Sequence, residues 1–436
     1  MIHAAHSTRR RTGLRRARGT AASAALLALT LTACGSPAAD QAPAAPDTAK
    51  TDTSETAAGH GSVAGAAEAA EPQLHLVTVD NGGAVGMLDL LSGEESQLGA
   101  VAPPTGAASD GRYVFTSHAG GLDVIDSAVW TWDHVDHFHY YRGTPALLGT
   151  LPGDGAATVV GGPLATSGTT GVFFAGSGEA ILLENHSLAD GTIEARFRIE
   201  TSPHEGLIAP LGDGAVITEA DSAGRVTELR VLDSDGAPSK TRIPCSAASG
   251  AVVTRVALVI GCADGAVLAT EEGGEPTLTP VALPAGGGAA PTEFAGRKGR
   301  PTVAGLGANS GGTASAGAWL LDTRARTWTW LPSPTPLIRA IAVDDEEGHV
   351  VALDEAGRVV VLRADEDPVF SEPLLTGEDL APAMRSQLTL TLDAQRAYLA
   401  SPSSGTVFEI DFADGARVAR ELRPAVAPAV FAETGR

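Results

Sequence analysis

One phrase recurs along most of this chain and restricts what it can fold into: a short apolar strand that ends in aspartate, often followed by a glycine-containing turn. It reads Met87-Leu88-Asp89, Val124-Ile125-Asp126, Leu320-Leu321-Asp322 and Ile410-Asp411, and Val231-Leu232-Asp233 runs straight into Ser234-Asp235-Gly236. Aspartate and glycine are residues that tight turns favour, and apolar runs this short suit strands better than helices. More runs of the same kind flank the phrase. Residues 74–79 precede Asn81-Gly82-Gly83, residues 113–118 follow Asp110-Gly111, and residues 349–353 and 358–362 are joined through Asp354-Glu355-Ala356-Gly357. No stretch of this region carries helical periodicity long enough for a core helix. The chain is therefore expected to be all-β. The roughly 360 residues from 73 to 432 divide into four-stranded units of about 45–50 residues each, the size of a β-propeller blade. Seven blades are favoured and eight also fit; a multi-sheet sandwich is the alternative architecture.

The first residues read as an address. Six arginines lie between Arg9 and Arg18, no acid occurs before Asp40, and residues 21–33 are uncharged, apolar and too short to span a bilayer. The segment ends in Leu31-Thr32-Ala33-Cys34-Gly35. This resembles a bacterial lipoprotein signal, which implies a signal peptide over residues 1–33, cleavage before Cys34 and a lipid anchor on that cysteine. A plain secretory signal is the alternative, and export is expected in either case. Residues 34–72 are mainly Ala, Pro, Thr, Asp, Glu and Gly, and bury too little apolar surface to offset their ordering entropy. They read as a tether, with His60 inside it and the folded domain running from 73 to 432.

Without the signal's six arginines, 24 basic residues face 52 acids, a net charge of −28. That balance argues against nucleic acid and for cations or basic surfaces, although solubility explains it equally well. Beyond the lipobox the only cysteines are Cys245 and Cys262, an even pair in an exported chain, expected to form a structural disulfide.

The chemistry concentrates in Trp132-Asp133-His134-Val135-Asp136-His137-Phe138-His139-Tyr140-Tyr141, where three of the chain's 11 histidines fall together with two aspartates. Imidazole nitrogen and carboxylate oxygen are ligands that Zn²⁺ accepts. If the run is extended, His137 and His139 share a face with Asp133 while His134 and Asp136 share the other. Two histidines spaced this way reach one ion, and an aspartate completes its shell or orients an imidazole; Asp136 does so only if the run is an irregular loop. His118 and His204 stand where a propeller brings them close. The opposing reading is a surface loop whose histidines are merely polar, and for His75, His186 and His349 the structural reading is preferred. No His-Glu-x-x-His, Gly-x-Ser-x-Gly, Rossmann or Walker pattern occurs, and no nucleophile has an evident base, so an enzyme is not expected.

Three pieces together carry a resemblance. They are the Asp-His run, Pro203-His204-Glu205-Gly206 leading to Pro210-Leu211-Gly212-Asp213-Gly214, and Pro244-Cys245 with Gly261-Cys262-Ala263-Asp264-Gly265. They resemble the Azt-type periplasmic zinc metallochaperones, a family of β-propellers that carry zinc to the solute-binding protein of a zinc ABC importer. The resemblance implies zinc binding through His137, His139 and His204, with His118 as a further candidate. Two departures stand out. Glu205 occupies a position where the family has a second histidine, and residues 246–250 lack the histidine expected after the first cysteine. The resulting expectation is a lipid-anchored extracytoplasmic zinc carrier, with a metal-free interaction propeller as the alternative.

Overall fold

The computed structural model describes residues 61–133, 137–307, 315–385 and 387–436. The expected signal peptide, Cys34, His60, His134 and Asp136 lie outside them. The described chain is all-β apart from one short helix, Asn185–Ala189.

Six four-stranded antiparallel sheets follow one another as blades. Blade one is closed by the C-terminal region: strand Val430–Thr434 pairs with His75–Val79, which pairs in turn with Ala84–Asp89 and then Glu95–Ala100. Joining the end of the domain to its beginning closes the ring. Blade two has Gly106–Ser109, Tyr113–His118, Gly121–Asp126 and Ala146–Pro152 as its strands, and blade three begins at Ala157–Gly161. Blade four runs from Ile208–Leu211 to Pro238–Pro244, blade five from Ala251–Val253 to Glu275–Ala282, and the last blade from Leu390–Leu392 to Arg417–Leu422.

Between blade five and the last lies one six-stranded sheet, and it corrects the favoured count of seven. Its long strand Thr327–Ala342 pairs through residues 327–332 with Ser315–Asp322, and through residues 337–342 with Val350–Asp354. One unbroken strand is thus the outer strand of one blade and the inner strand of the next. Two isolated bridges, Pro291 to Gly307 and Ala295 to Ala304, mark the inner edge of the first of these. Among the described residues the blades number eight.

The sequence pattern follows from how blades pack. Second strands such as His75–Val79 and Val350–Asp354 are buried at every position, so they read as continuous apolar runs, whereas the outer strand Pro238–Pro244 alternates exposed with half-buried residues. Each buried Val or Leu contributes about 1.5–3 kcal/mol, and clusters such as Leu229, Val231, Leu258 and Ile260 join one blade to the next. The recurrent terminal aspartate closes the turn to the outer strand. Asp89 Oδ1 accepts from the Leu91 and Ser92 amides, Asp233 Oδ1 from Asp235 and Ala237, and Asp322 Oδ1 from Arg324 and Ala325.

The expected disulfide is present between Cys245, at the end of blade four, and Cys262, in blade five. It staples adjacent blades across a sequence separation of 17 residues. Closing a loop of that size is worth roughly 3 kcal/mol in the chain-entropy account.

Two features depart from plain blades. Between the third and fourth strands of blade two the chain makes an extra hairpin, Val129–Asp133 with Phe138–Arg142. Strand Ala67–Ala69 adds to it as a third strand, Glu68 lying opposite Tyr141. The expected tether boundary at residue 72 is therefore too late. This Ala-Glu-Ala segment gains order from its backbone pairing with the hairpin, which composition does not reveal.

Candidate metal centre

The hairpin register decides which side chains meet. Trp130 lies opposite Tyr141, Trp132 opposite His139, and Asp133 opposite Phe138. Facing residues share a side of a sheet, so His139 and Tyr141 fall with Trp130 and Trp132, and Asp133 falls with Phe138 on the other side. This overturns the expectation that Asp133 shares a face with the histidines, because the chain reverses inside the cluster instead of running straight. Asp133 instead forms an ion pair with Arg255 of blade five at 2.8 Å.

The histidine side is a ladder of rings on a rigid footing. The Arg112 guanidinium is held by both oxygens of Asp126 (2.9 and 2.7 Å) and lies 4.1 Å from the centre of the Trp130 ring. Trp130 stacks on Tyr141 at 5.1 Å, Tyr141 on His139 at 6.3 Å, and His139 meets His137 edge-on at 4.7 Å. Trp130 and Tyr141 are buried. Burial, with Glu68 adding to it, keeps the Tyr141 phenol protonated above its ordinary range. Gly61 packs its backbone on the Trp132 ring with φ +77°, leaving no room for a Cβ, and its carbonyl accepts from Trp130 Nε1 at 3.0 Å. Further contacts seat the sheet on the propeller. Arg142 bonds Asp89 of blade one at 3.0 Å, and the Thr131 hydroxyl donates to the Gly435 carbonyl at 2.8 Å.

At the tip of the ladder, His137 Nε2 and His139 Nε2 face each other at 2.9 Å, and His139 Nδ1 lies 2.6 Å from Glu68 Oε1. A carboxylate at Nδ1 fixes that nitrogen as the proton-bearing one and leaves the Nε2 lone pair directed at His137. A tetrahedral zinc ion bonded to two imidazoles holds their nitrogens about 3.3 Å apart, so this pair needs only a small opening to share one ion. The donor set suits Zn²⁺. Glu68 is a candidate residue that sequence reasoning missed. It lies 71 positions from His139 in a segment whose composition reads as tether, and no local motif marks it.

The other two candidate histidines stand apart from this pair. His118 Nδ1 accepts from the Gly120 amide at 3.1 Å in a turn of blade two, while its Nε2 lies 3.6 Å from Asp123 and is buried without a hydrogen-bond partner. His204 is 6% exposed. Its Nδ1 donates to the Ser202 carbonyl at 2.7 Å, its Nε2 accepts from the Thr218 hydroxyl at 2.9 Å, and its ring packs on Phe173. Neither histidine joins the pair, and among the described residues no group of three or more His, Cys, Asp or Glu side chains is arranged to hold a metal ion. His75 and His349 are buried structural residues, hydrogen-bonded to the Gln73 carbonyl and to Asp345. The two departures from the Azt-type pattern come together: Glu205 and residues 246–249 line one surface cleft.

No family model matches the sequence. Among solved structures, Citrobacter koseri AztD aligns with a TM-score of 0.69 at 18% identity, over 84% of this chain and 98% of that one. The apo form of the same protein aligns with a TM-score of 0.66 at 17% identity, over the same shares of both chains. This chain has the AztD fold. At that identity the likeness speaks for architecture alone, and the chemistry has to be argued from the residues described above.

Proposed function

We propose that this protein is an extracytoplasmic zinc carrier, anchored to the membrane through Cys34, that loads Zn²⁺ on His137 and His139 and passes it to the solute-binding protein of an ABC importer. The observation that carries the reading is the pair of facing Nε2 atoms backed by Glu68. Two imidazoles on an exposed hairpin leave coordination positions that a partner's ligands can enter, which is what hand-over by ligand exchange requires. Asp136, in the same sequence run, is proposed as a further ligand. The disulfide suits the oxidising compartment that this reading implies. Zinc needs deprotonated imidazole, so affinity falls as pH drops through the range in which histidine takes up a proton.

Chelator competition on the purified chain tests the reading. Tight one-to-one zinc binding is expected, and the His137→Ala/His139→Ala variant should lose it. Binding that ignores both substitutions, or no binding at all, rejects the carrier and leaves a metal-free interaction propeller. The stripped cleft at Glu205 is the observation that favours that second reading.

A further inference from the structure

We propose that residues 61–69 are a clasp, closed on the histidine hairpin when zinc is loaded and opened when zinc leaves. The inference rests on the zinc reading above and adds its regulation: the empty and the loaded carrier present different edges to a partner.

The clasp is a lightly anchored segment that carries one well-placed group. It reads Gly61-Ser62-Val63-Ala64-Gly65-Ala66-Ala67-Glu68-Ala69, in which Val63 is the only large apolar residue and no residue is buried. Burial of apolar surface therefore does little to offset the entropy of ordering it. What holds it is polar and lies on the hairpin. The Gly61 carbonyl accepts from Trp130 Nε1 at 3.0 Å, Ala67–Ala69 pairs along residues 140–142, and Glu68 Oε1 lies 2.6 Å from His139 Nδ1. The hairpin has its own footing besides. Val129–Asp133 and Phe138–Arg142 pair with each other, Trp130 lies against Arg112, Arg142 bonds Asp89, and Thr131 bonds the Gly435 carbonyl. Elements with few buried contacts and exposed backbone hydrogen bonds open locally without the rest of the fold. The clasp can thus leave while the hairpin stays.

Glu68 ties that opening to the cargo. Zinc on His139 Nε2 draws electron density from the ring, which makes the Nδ1 proton a stronger donor to the carboxylate, and the charge of the ion attracts the same carboxylate. The closed clasp in turn orients the imidazole for the ion. Such coupling is reciprocal: whatever factor the closed clasp adds to zinc affinity, zinc adds to closure. A factor of about ten is expected, the lower end of the range for groups that orient a metal ligand, because the Glu68 side chain is 54% exposed. With the clasp open, Phe138–Arg142 offers unpaired backbone groups along one edge, a surface to which an extended segment of a partner adds as a strand.

Hydrogen–deuterium exchange of the full chain, read by peptide mass spectrometry with and without saturating zinc, tests this. Amides of residues 67–69 exchange in proportion to the time the clasp spends open, so they should slow about tenfold in zinc. Those of the distant outer strand Pro238–Pro244 should not change. In Glu68→Gln the effect on residues 67–69 should disappear, although zinc still binds and protects residues 138–142. Chelator competition on the same samples tells two failures apart. Zinc bound without slowing at residues 67–69, or slowing that persists in Glu68→Gln, overturns the clasp and leaves the zinc reading standing. No zinc binding rejects the zinc reading and the clasp with it.

Discussion

Two regions of this propeller look alike in sequence and differ in what their histidines have left to offer. On the blade-two hairpin, the imidazoles of His137 and His139 turn Nε2 toward each other, and the one outer nitrogen with a described partner is held by a carboxylate. At the entry to blade four, both nitrogens of His204 are used within the core, one by a carbonyl and one by a hydroxyl. The residues that would have to help it, Glu205 and residues 246–249, contribute no imidazole to their cleft. What sets the hairpin pair apart is that two ring nitrogens face each other at 2.9 Å, and the surrounding backbone decides that.

The sharpest break of this comparison is to remove each member in turn. Loss of both hairpin imidazoles should weaken zinc by at least about a hundredfold, since each ligand bond is worth several kcal/mol and two are removed. His204→Ala should leave zinc affinity unchanged. Its cost falls on the fold instead, about 1–3 kcal/mol in a denaturant midpoint, because a buried ring that packs on Phe173 is deleted and the Thr218 hydroxyl loses its acceptor. If His204→Ala weakens zinc as much as the hairpin double variant does, the two regions form one site and the contrast drawn here fails.

Glu68 sharpens the same contrast from the supporting side. Glu68→Gln keeps the size of the side chain and replaces the charged acceptor at His139 Nδ1 with a neutral amide. Second-sphere losses of this kind cost about 10–100-fold in metal affinity. The lower end of that range is expected here, because the Glu68 side chain is 54% exposed and water can replace it. An affinity equal to that of the unaltered chain would show that Glu68 merely neighbours the pair.

How much of this the sequence discloses depends on whether a residue's partner is local. The middle strands are buried throughout, so Val350–Asp354 and His75–Val79 show as apolar runs, and the aspartates that close turns bond to amides two to four residues away. Fold class is legible for that reason, and so is the Cys245–Cys262 pair, whose members are the only two cysteines past the lipobox. Blade number is not. Thr327–Ala342 passes from one blade to the next through Pro332-Ser333-Pro334-Thr335-Pro336 as one unbroken strand, and the blade before it keeps only bridges at its inner edge. Within the site, the reversal that sends Asp133 to Arg255 falls inside the histidine run, where alternation predicts a straight strand. Glu68 reaches His139 through a strand pairing across the whole of blade one, and no spacing rule covers such a distance.

The smallest expected effect is also the one that rebuilds the missing region. Glu205 and Ser246 line one cleft together with Asp221 and Arg225, and both stand where the Azt-type pattern places or neighbours a histidine. Glu205→His with Ser246→His puts two imidazoles on that cleft without touching the hairpin. Asp221 is already committed to Arg225, accepting from its guanidinium at 2.9 and 2.7 Å, so it offers little to a metal and the new site should be weak. A second zinc is expected at an affinity at least about tenfold below that of the hairpin pair, since the new imidazoles have no carboxylate to orient them. Combined with His137→Ala/His139→Ala, the rebuilt cleft should bind that weak zinc alone. A second site as tight as the first would mean that orientation by a carboxylate is not what separates the two regions, and that the number of imidazoles is enough.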